Sequence, residues 1–157
     1  MEVILEQFIP SDKPKRISNM LKSISIIFFI IAIMSIFASI IIGIALAIVG
    51  LILFTGSYLV YIDYEYELYN GDITISKVYN ASRRKVAQKV DKDAVRKVYL
   101  TSRKDALKKG VTAYYNTNLE GLNLYTFELN NNKVIQLALN GELEKIVKII
   151  YVHKITY

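Results

Sequence analysis

The stretch SISIIFFIIAIMSIFASIIIGIALAIVGLILFTGSYLVYI, residues 23–62, contains no charged side chain and lies between Lys22 and Asp63. A helix that crosses a hydrocarbon core of about 30 Å needs about 20 apolar residues, whereas a single helix of this whole stretch would be about 60 Å long. The stretch therefore predicts two membrane-spanning helices joined by a turn.

The turn is predicted at residues 39–43, because Gly43 leaves helical geometry more readily than its neighbours. The two antiparallel helices would then cover residues 19–38 and 44–62, approximately. Small residues would let the helices approach closely. They are Ala32, Ser35 and Ala38 on the first helix and Ala47 and Gly50 on the second. The series Ser39, Gly43 and Ala47 would also suit a homo-oligomer interface formed by the hairpin, so both packing modes are open.

The basic residues that flank the hairpin predict its orientation, since short flanks rich in Lys and Arg stay in the cytoplasm. They are Lys13, Lys15, Arg16 and Lys22 before the helices, and Lys77, Arg83, Arg84, Lys85 and Lys89 after them. We therefore expect a multi-pass protein of the cell membrane with both termini cytoplasmic. A cleaved signal peptide ending near Ala45-Leu46-Ala47 is the alternative, but the apolar run continues to Ile62.

Length and composition define three predicted parts of the 157-residue chain: a cytoplasmic flank at 1–22, the helices at 23–62, and one small cytoplasmic domain at 63–157. That domain holds 16 Lys and Arg against 11 Asp and Glu. Positive charge beside a bilayer indicates attraction to anionic lipids, so nucleic acid is not expected as a partner. The chain has no cysteine, which excludes disulfides, a thiolate nucleophile and cysteine-ligated zinc.

The N-terminal flank begins with an apolar and acidic mixture before Pro10. Its apolar residues are Val3, Ile4, Phe8 and Ile9. They would suit a short amphipathic element at the membrane interface, or a tail that packs on the domain. The sequence leaves both interpretations open.

From Tyr61 onward the hydrophobic period changes to two, which predicts a half-buried strand over 62–68. Asn70-Gly71 follows and predicts a type I′ hairpin turn, because both residues tolerate positive φ. The carboxylates on the other face of the strand are Asp63, Glu65 and Glu67. We interpret them as a solvated face paired with Arg83 or Arg84, since acid-base catalysis needs groups that converge from different elements.

Several motifs of this region recur in a known family. They are Tyr64-Glu65-Tyr66, the Asn70-Gly71 turn with Asp72-Ile73-Thr74-Ile75, Val78, and the cluster Arg83-Arg84-Lys85. In this order after a membrane hairpin they resemble a family of small bacterial two-span membrane proteins that carry a pleckstrin-homology-like (PH-like) domain. The resemblance covers about residues 20–100 and implies a PH-like fold but no activity. Residues 102–118 have no counterpart in it.

The remaining patterns predict strands at 83–90, 94–101, 122–129 and 134–139, with Val86 and Val90 facing inward. A helix is the alternative at 94–101. A short helix is expected at 103–109, and a C-terminal helix should begin after Asn140 and bury Leu143 and Val147. The expected fold is a membrane helical hairpin followed by a small α+β domain, in which a bent antiparallel sheet of six to seven strands is closed by a C-terminal amphipathic helix.

Motifs for catalysis are missing from the sequence: it has no phosphate-binding glycine loop, no HExxH and no GxSxG, and the single histidine is His153. We therefore expect no enzyme and no cofactor or metal. The first functional hypothesis is a membrane-anchored interaction or scaffold module with an unknown protein partner.

The second hypothesis is direct binding of anionic lipid headgroups. The basic patch that would bind them consists of Arg83, Arg84, Lys85, Lys89, Arg103, Lys104, Lys108 and Lys109. A third hypothesis, an accessory subunit of a membrane complex, differs from the first only in using the hairpin as its interface.

Overall fold

The computed structural model describes residues 4–102, 110–116 and 119–156. It divides the chain into two compact units. The helical unit consists of Ser11–Ile62 with Tyr79–Arg83, and the sheet unit consists of the remaining residues.

The helical unit is an antiparallel hairpin of α1 (Asp12–Ile36) and α2 (Ile40–Val60). Both helices are long and apolar enough to cross a membrane. Helix α1 begins upstream of the predicted residue 19 and so includes the basic residues that follow Asp12.

The turn of the hairpin lies before Ile40, which corrects the prediction that it would include Gly43. Ser39 adopts an extended conformation at the start of α2, and its N–H donates to the Ser35 carbonyl at 2.8 Å. Gly43 lies inside α2, where a Cβ would stand 2.5 Å from Ile36 Cγ1 and 3.1 Å from the Ala32 carbonyl oxygen. The sequence uses this glycine for close helix packing and not for the turn.

A second contact of the hairpin lies at Gly50, where a Cβ would stand 3.2 Å from the Phe29 ring. The Ser25 hydroxyl donates to the Gly50 carbonyl at 2.8 Å. Of the predicted small residues, Ala32 and Gly50 are buried. Small side chains and the hydrogen bond between Ser25 and Gly50 therefore stabilise the contact between the two helices.

The first sheet of the sheet unit has the strand order β1-β2-β3-β4. Its strands are β1 (Ile4–Ile9), β2 (Ile62–Tyr69), β3 (Asp72–Tyr79) and β4 (Arg83–Val90). Strand β1 pairs antiparallel with β2, with Leu5 opposite Leu68 and Ile9 opposite Tyr64. Of the two interpretations of the N-terminal flank, packing on the domain holds, and the flank does so as a strand.

Asn70 and Gly71 form the predicted turn between β2 and β3, with φ of 51° and 95°. These two positive values are those that a type I′ turn demands. A second turn with positive φ, at Asn80 (48°) and Ala81 (58°), joins β3 to β4. The sequence did not reveal it, because alanine seldom adopts this conformation.

The second sheet has the order β6-β8-β7-β5-β9. Its strands are β5 (Val95–Leu100), β6 (Val111–Ala113), β7 (Asn123–Leu129), β8 (Val134–Leu139) and β9 (Ile155–Thr156), and a 3-10 turn at Lys92–Ala94 precedes β5. Strand formation at 94–101 is thus confirmed. Strand β6 runs parallel to β8, and β9 runs parallel to β5.

The sheet unit therefore has nine described strands in two sheets, where one antiparallel sheet of six to seven strands was expected. Strands of two or three residues, such as β9 and β6, are too short to produce a periodic pattern. The predicted helix at 103–109 lies outside the described residues. The predicted order of hairpin, sheet and C-terminal helix is confirmed.

Helix α3 (Gly141–Ile150) covers the core of the sheet unit. The Asn140 side chain accepts a hydrogen bond from the Leu143 N–H at 2.8 Å and so caps the helix as predicted. Leu143 and Val147 are buried, and the Tyr151 hydroxyl donates to the Gly71 carbonyl at 2.6 Å. The core comprises buried residues from both sheets, including Tyr66, Ile73, Val98, Phe127 and Leu137.

Candidate functional site

The structure describes four of the eight residues of the predicted basic patch. Arg83, Arg84, Lys85 and Lys89 are exposed on β4. The other four patch residues, Arg103, Lys104, Lys108 and Lys109, lie outside the described residues.

Arg84 binds an acidic side chain. Its Nε donates to Glu65 Oε2 at 2.7 Å, and this hydrogen bond raises the pKa of the guanidinium above its ordinary value. The predicted pairing of the acidic strand with Arg84 is confirmed. Within the part of the chain that the structure describes, no ion pair involves Lys85 or Lys89. Their charges are therefore presented to the solvent.

The acidic face next to Arg84 is only partly as predicted. Glu67 is exposed and stands opposite Glu6 of β1, whereas Asp63 is 1% exposed and so does not belong to a solvated face. A groove of about 300 Å³ on this face is lined by Glu6, Glu65, Glu67, Ser76 and Arg84. Burial along β2 does not alternate strictly: Asp63 is buried near the start of the strand, whereas Tyr66 and Leu68, on the opposite parity, are buried further along.

Strand β4 is an edge strand of the first sheet, and β3 is its neighbour. In the described ranges, no strand pairs with its outer edge. Val86 is 52% exposed, which corrects the prediction that it faces inward, whereas Val90 is buried as predicted. An edge strand has a neighbour on one side only, so a valine in it need not be covered. Gln88 of the same strand accepts a hydrogen bond from the Lys133 ammonium.

The helical unit has its own cluster of polar contacts near the charged end of the hairpin. The Lys22 ammonium donates to Asn80 Oδ1 at 2.7 Å and lies 5.0 Å from the centre of the Tyr58 ring. The Asn80 N–H donates to the Tyr61 carbonyl at 2.9 Å. Lysine with tyrosine is the pair typical of a membrane-water interface. Sequence reasoning missed Asn80, for which the only signal was an Asn before two small residues.

A cluster of neutral polar side chains is buried in the second sheet. The hydroxyls of Thr101 and Thr126 are 2.5 Å apart, the Gln136 amide donates to Thr126 at 3.1 Å, and the Tyr115 hydroxyl donates to Gln136 at 3.0 Å. Thr101, Thr126 and Gln136 line a cavity of about 260 Å³ in which no His, Asp or Glu is found among the described residues. The hydrogen bonds of the described cluster join only hydroxyl and amide groups.

The described ranges contain no group of three or more His, Asp or Glu residues placed to hold a metal ion. His153 is exposed in the turn after α3.

A family model described as "Bacterial PH-like domain (DUF6106)" matches residues 1–151. The chain belongs to this family. The match confirms the resemblance of the sequence to bacterial PH-like membrane proteins. No curated protein and no solved structure matches the chain.

The PH-like family model extends over the helical hairpin, the first eight strands, β1 included, and α3. The N-terminal strand and the two helices are therefore part of what the family shares, not additions to it. A PH-like domain is an interaction fold, and such folds act through their surfaces.

Proposed function

We propose that this PH-like protein is a non-enzymatic interaction module anchored in the cell membrane by its helical hairpin, with both termini in the cytoplasm. The observation that carries the proposal is the exposure of the two apolar helices. In the most apolar 18-residue stretch of each helix, only 17% is buried. Large apolar side chains such as Ile33, Ile41 and Phe37 face outward. An apolar surface of this extent is stable in lipid and not in water.

The pairing of β1 with β2 supports an even number of spans. The two strands flank the hairpin in the sequence and are neighbours in one sheet. Both ends of the hairpin must therefore lie on the same side of the membrane. The basic residues before and after the helices favour the cytoplasm as that side, because the turn between the helices carries no charge.

Labelling of single cysteines tests this topology, since the natural chain has no cysteine. Suitable positions are Lys13→Cys, Ser39→Cys and Ser102→Cys, because Lys13 and Ser102 are exposed and Ser39 lies in the turn. A membrane-impermeant maleimide should label only Ser39→Cys in intact cells, and the other two after the membrane is opened. Labelling of Ser102→Cys from outside, or release of the full chain from membranes by alkaline carbonate, would overturn the proposal.

Direct binding of anionic lipids is the second candidate function. It is supported by the exposure of Lys13, Lys15 and Arg16 in the first turns of α1, ahead of the apolar segment. Each basic residue near an anionic surface contributes about 1 kcal/mol. The patch predicted from the sequence, which also includes Arg103, Lys104, Lys108 and Lys109, would add to this attraction.

Native mass spectrometry of the full chain in detergent tests lipid binding. Replacement of Lys13, Lys15 and Arg16 by Gln should reduce bound phosphatidylglycerol relative to phosphatidylcholine, and more salt should reduce it further. Lys145→Gln on α3 is the control, since Lys145 is also exposed. Equal retention of both lipids by the natural chain would exclude this candidate.

A further inference from the structure

Strand β4 offers an open edge that the functions above do not use. A strand exposes the N–H and C=O groups of every second residue along each edge. On one side of β4 these groups bind β3. On the other no described strand follows, and the Lys89 carbonyl accepts a hydrogen bond from the Gln88 side chain at 2.7 Å. Such an edge pairs readily with another extended chain unless side chains prevent it.

The positively charged side chains of β4 limit which strands can pair with this edge. Lys85 and Lys89 are exposed and form no ion pair with any described residue. The Lys133 ammonium adds a third positive charge at Gln88. Pairing with a neutral strand would desolvate these lysines without compensation, and pairing with a basic strand would place like charges together. An acidic strand would instead form favourable charge pairs with the lysines.

A second copy of β4 is a poor occupant of the edge. An antiparallel pair of β4 strands with Val86 opposite Ala87 would set Arg84 opposite Lys89 in both halves of the pair. Like charges directly opposite each other across two strands are destabilising. The edge is therefore complementary to a different chain that carries negative charge.

We propose that the outer edge of β4 binds an extended acidic segment of a protein partner by strand addition. Carboxylates of the segment would bind Lys85 and Lys89, and an apolar side chain would cover the exposed Val86. Main-chain hydrogen bonds would supply affinity, and the lysines would supply selectivity. The inference rests on the proposed interaction module and specifies the chemistry of its partner.

Two synthetic peptides test strand addition on the full chain in a zwitterionic detergent. The first alternates glutamate with threonine over eight residues, the length of β4. The second has the same charge but alternates glutamate with proline, which cannot donate a hydrogen bond from its backbone. We expect the first peptide to bind and to slow amide hydrogen exchange in β4, and the second to bind about tenfold more weakly or less.

Charge variants of the protein complete the test. The double variant Lys85→Glu and Lys89→Glu should weaken binding of the threonine peptide by about tenfold or more, and the double Arg variant should retain it. Lys145→Glu should leave binding unchanged, because it makes the same kind of charge change on the exposed face of α3.

Three results would overturn strand addition. The first is equal binding of the two peptides, and the second is an unchanged affinity of the threonine peptide for the Glu variant. The third is that no peptide binds, while nanodiscs containing phosphatidylglycerol slow amide hydrogen exchange in β4. The last result would assign the edge to the membrane surface. Because the peptides are tested in detergent, these results are independent of the cysteine labelling that tests the membrane anchor.

Discussion

Gln7 and Ala138 are joined by a hydrogen bond across 131 positions of the sequence, from Gln7 Nε2 to the Ala138 carbonyl at 2.9 Å. The Asn140 N–H in turn donates to Gln7 Oε1 at 3.0 Å, and the Ala138 N–H donates to the Tyr66 hydroxyl at 3.3 Å. Two side chains of the first sheet thus satisfy the backbone at the end of β8, a strand of the second sheet. Burial raises the pKa of Tyr66, so this hydroxyl stays neutral and able to hydrogen-bond.

Substitution of Gln7 should remove the hydrogen bonds that join β1 of the first sheet to the end of β8 in the second, and so lower the stability of the sheet unit. Gln7→Leu keeps the approximate size of the buried side chain but leaves the Ala138 carbonyl without this donor. We expect a loss of about 1–3 kcal/mol in the free energy of unfolding, measured with denaturant in detergent. Glu6→Gln, at the exposed neighbouring position of β1, should change stability by less than about 0.5 kcal/mol. Equal stabilities of both variants would contradict the role of Gln7.

The packing of the hairpin should depend on Gly43. In Gly43→Val the Cβ would stand 2.5 Å from Ile36 Cγ1, so α1 and α2 must move apart. We expect a loss of about 1–3 kcal/mol, visible as a lower midpoint of helix unfolding in detergent by circular dichroism. Gly56→Val is the matched control, because a Cβ at Gly56 meets no atom within 4 Å. A Gly43 variant as stable as the Gly56 variant would exclude close packing at this position.

The proposed insertion of the hairpin in a bilayer can be tested by fluorescence, because the chain has no tryptophan. Tyr58→Trp places the reporter at the residue that contacts Lys22, and Ile48→Trp places it in the middle of α2. We expect lipids brominated near the headgroup to quench the Tyr58→Trp variant most strongly, and lipids brominated deep in the acyl chain to quench the Ile48→Trp variant. The reverse order would contradict membrane insertion as described.

The stability of the sheet unit should depend on pH through Glu144. Burial alone would raise the pKa of this carboxyl, but hydrogen bonds from Lys148, Asn123 and Tyr125 hold it below the ordinary value. A carboxyl with a lowered pKa in the folded state stabilises the fold above its unfolded pKa, and this contribution is lost as the pH falls through the folded pKa. Stability should therefore decrease below the ordinary titration range of glutamate.

Glu144→Gln isolates this contribution. The variant should be less stable than the natural chain at neutral pH, and the difference should shrink in acid, as measured by urea unfolding at several pH values. Glu142→Gln removes the same charge from the first turn of α3 at an exposed position. If the two variants show the same dependence on pH, the hydrogen bonds of Glu144 are not its cause.

The sequence predicted those elements that depend on neighbouring residues in the chain. The uncharged stretch predicted the hairpin, Asn70-Gly71 predicted a turn with positive φ, and Asn140 with the apolar face of α3 predicted the C-terminal helix. Strand β1 was missed because its pairing partner lies beyond the hairpin. The role of Gly43 was misassigned because the sequence does not distinguish a glycine that turns from one that packs.

The basic residues of β4 were visible in the sequence, but their position in the sheet was not. The sequence placed basic residues on β4 and paired Arg84 with the acidic strand. It could not show that β4 lies at the edge of a sheet, since strand order is set by contacts between distant parts of the chain. For the same reason the open edge, the exposure of Val86 and the contact of Lys133 with Gln88 became visible only in three dimensions.

The pairing of β1 with β2 also sets an order of events during synthesis. Strand β1 leaves the ribosome first, but its partner follows only after α1 and α2 have been made. Until then the N-terminal strand has no neighbour, and Gln7 has no carbonyl to bind, because β8 is made later still. Closure of so long a loop becomes favourable only when the hairpin brings its ends together. The proposed membrane insertion of the hairpin would therefore precede the pairing of β1, so folding of the first sheet would depend on it.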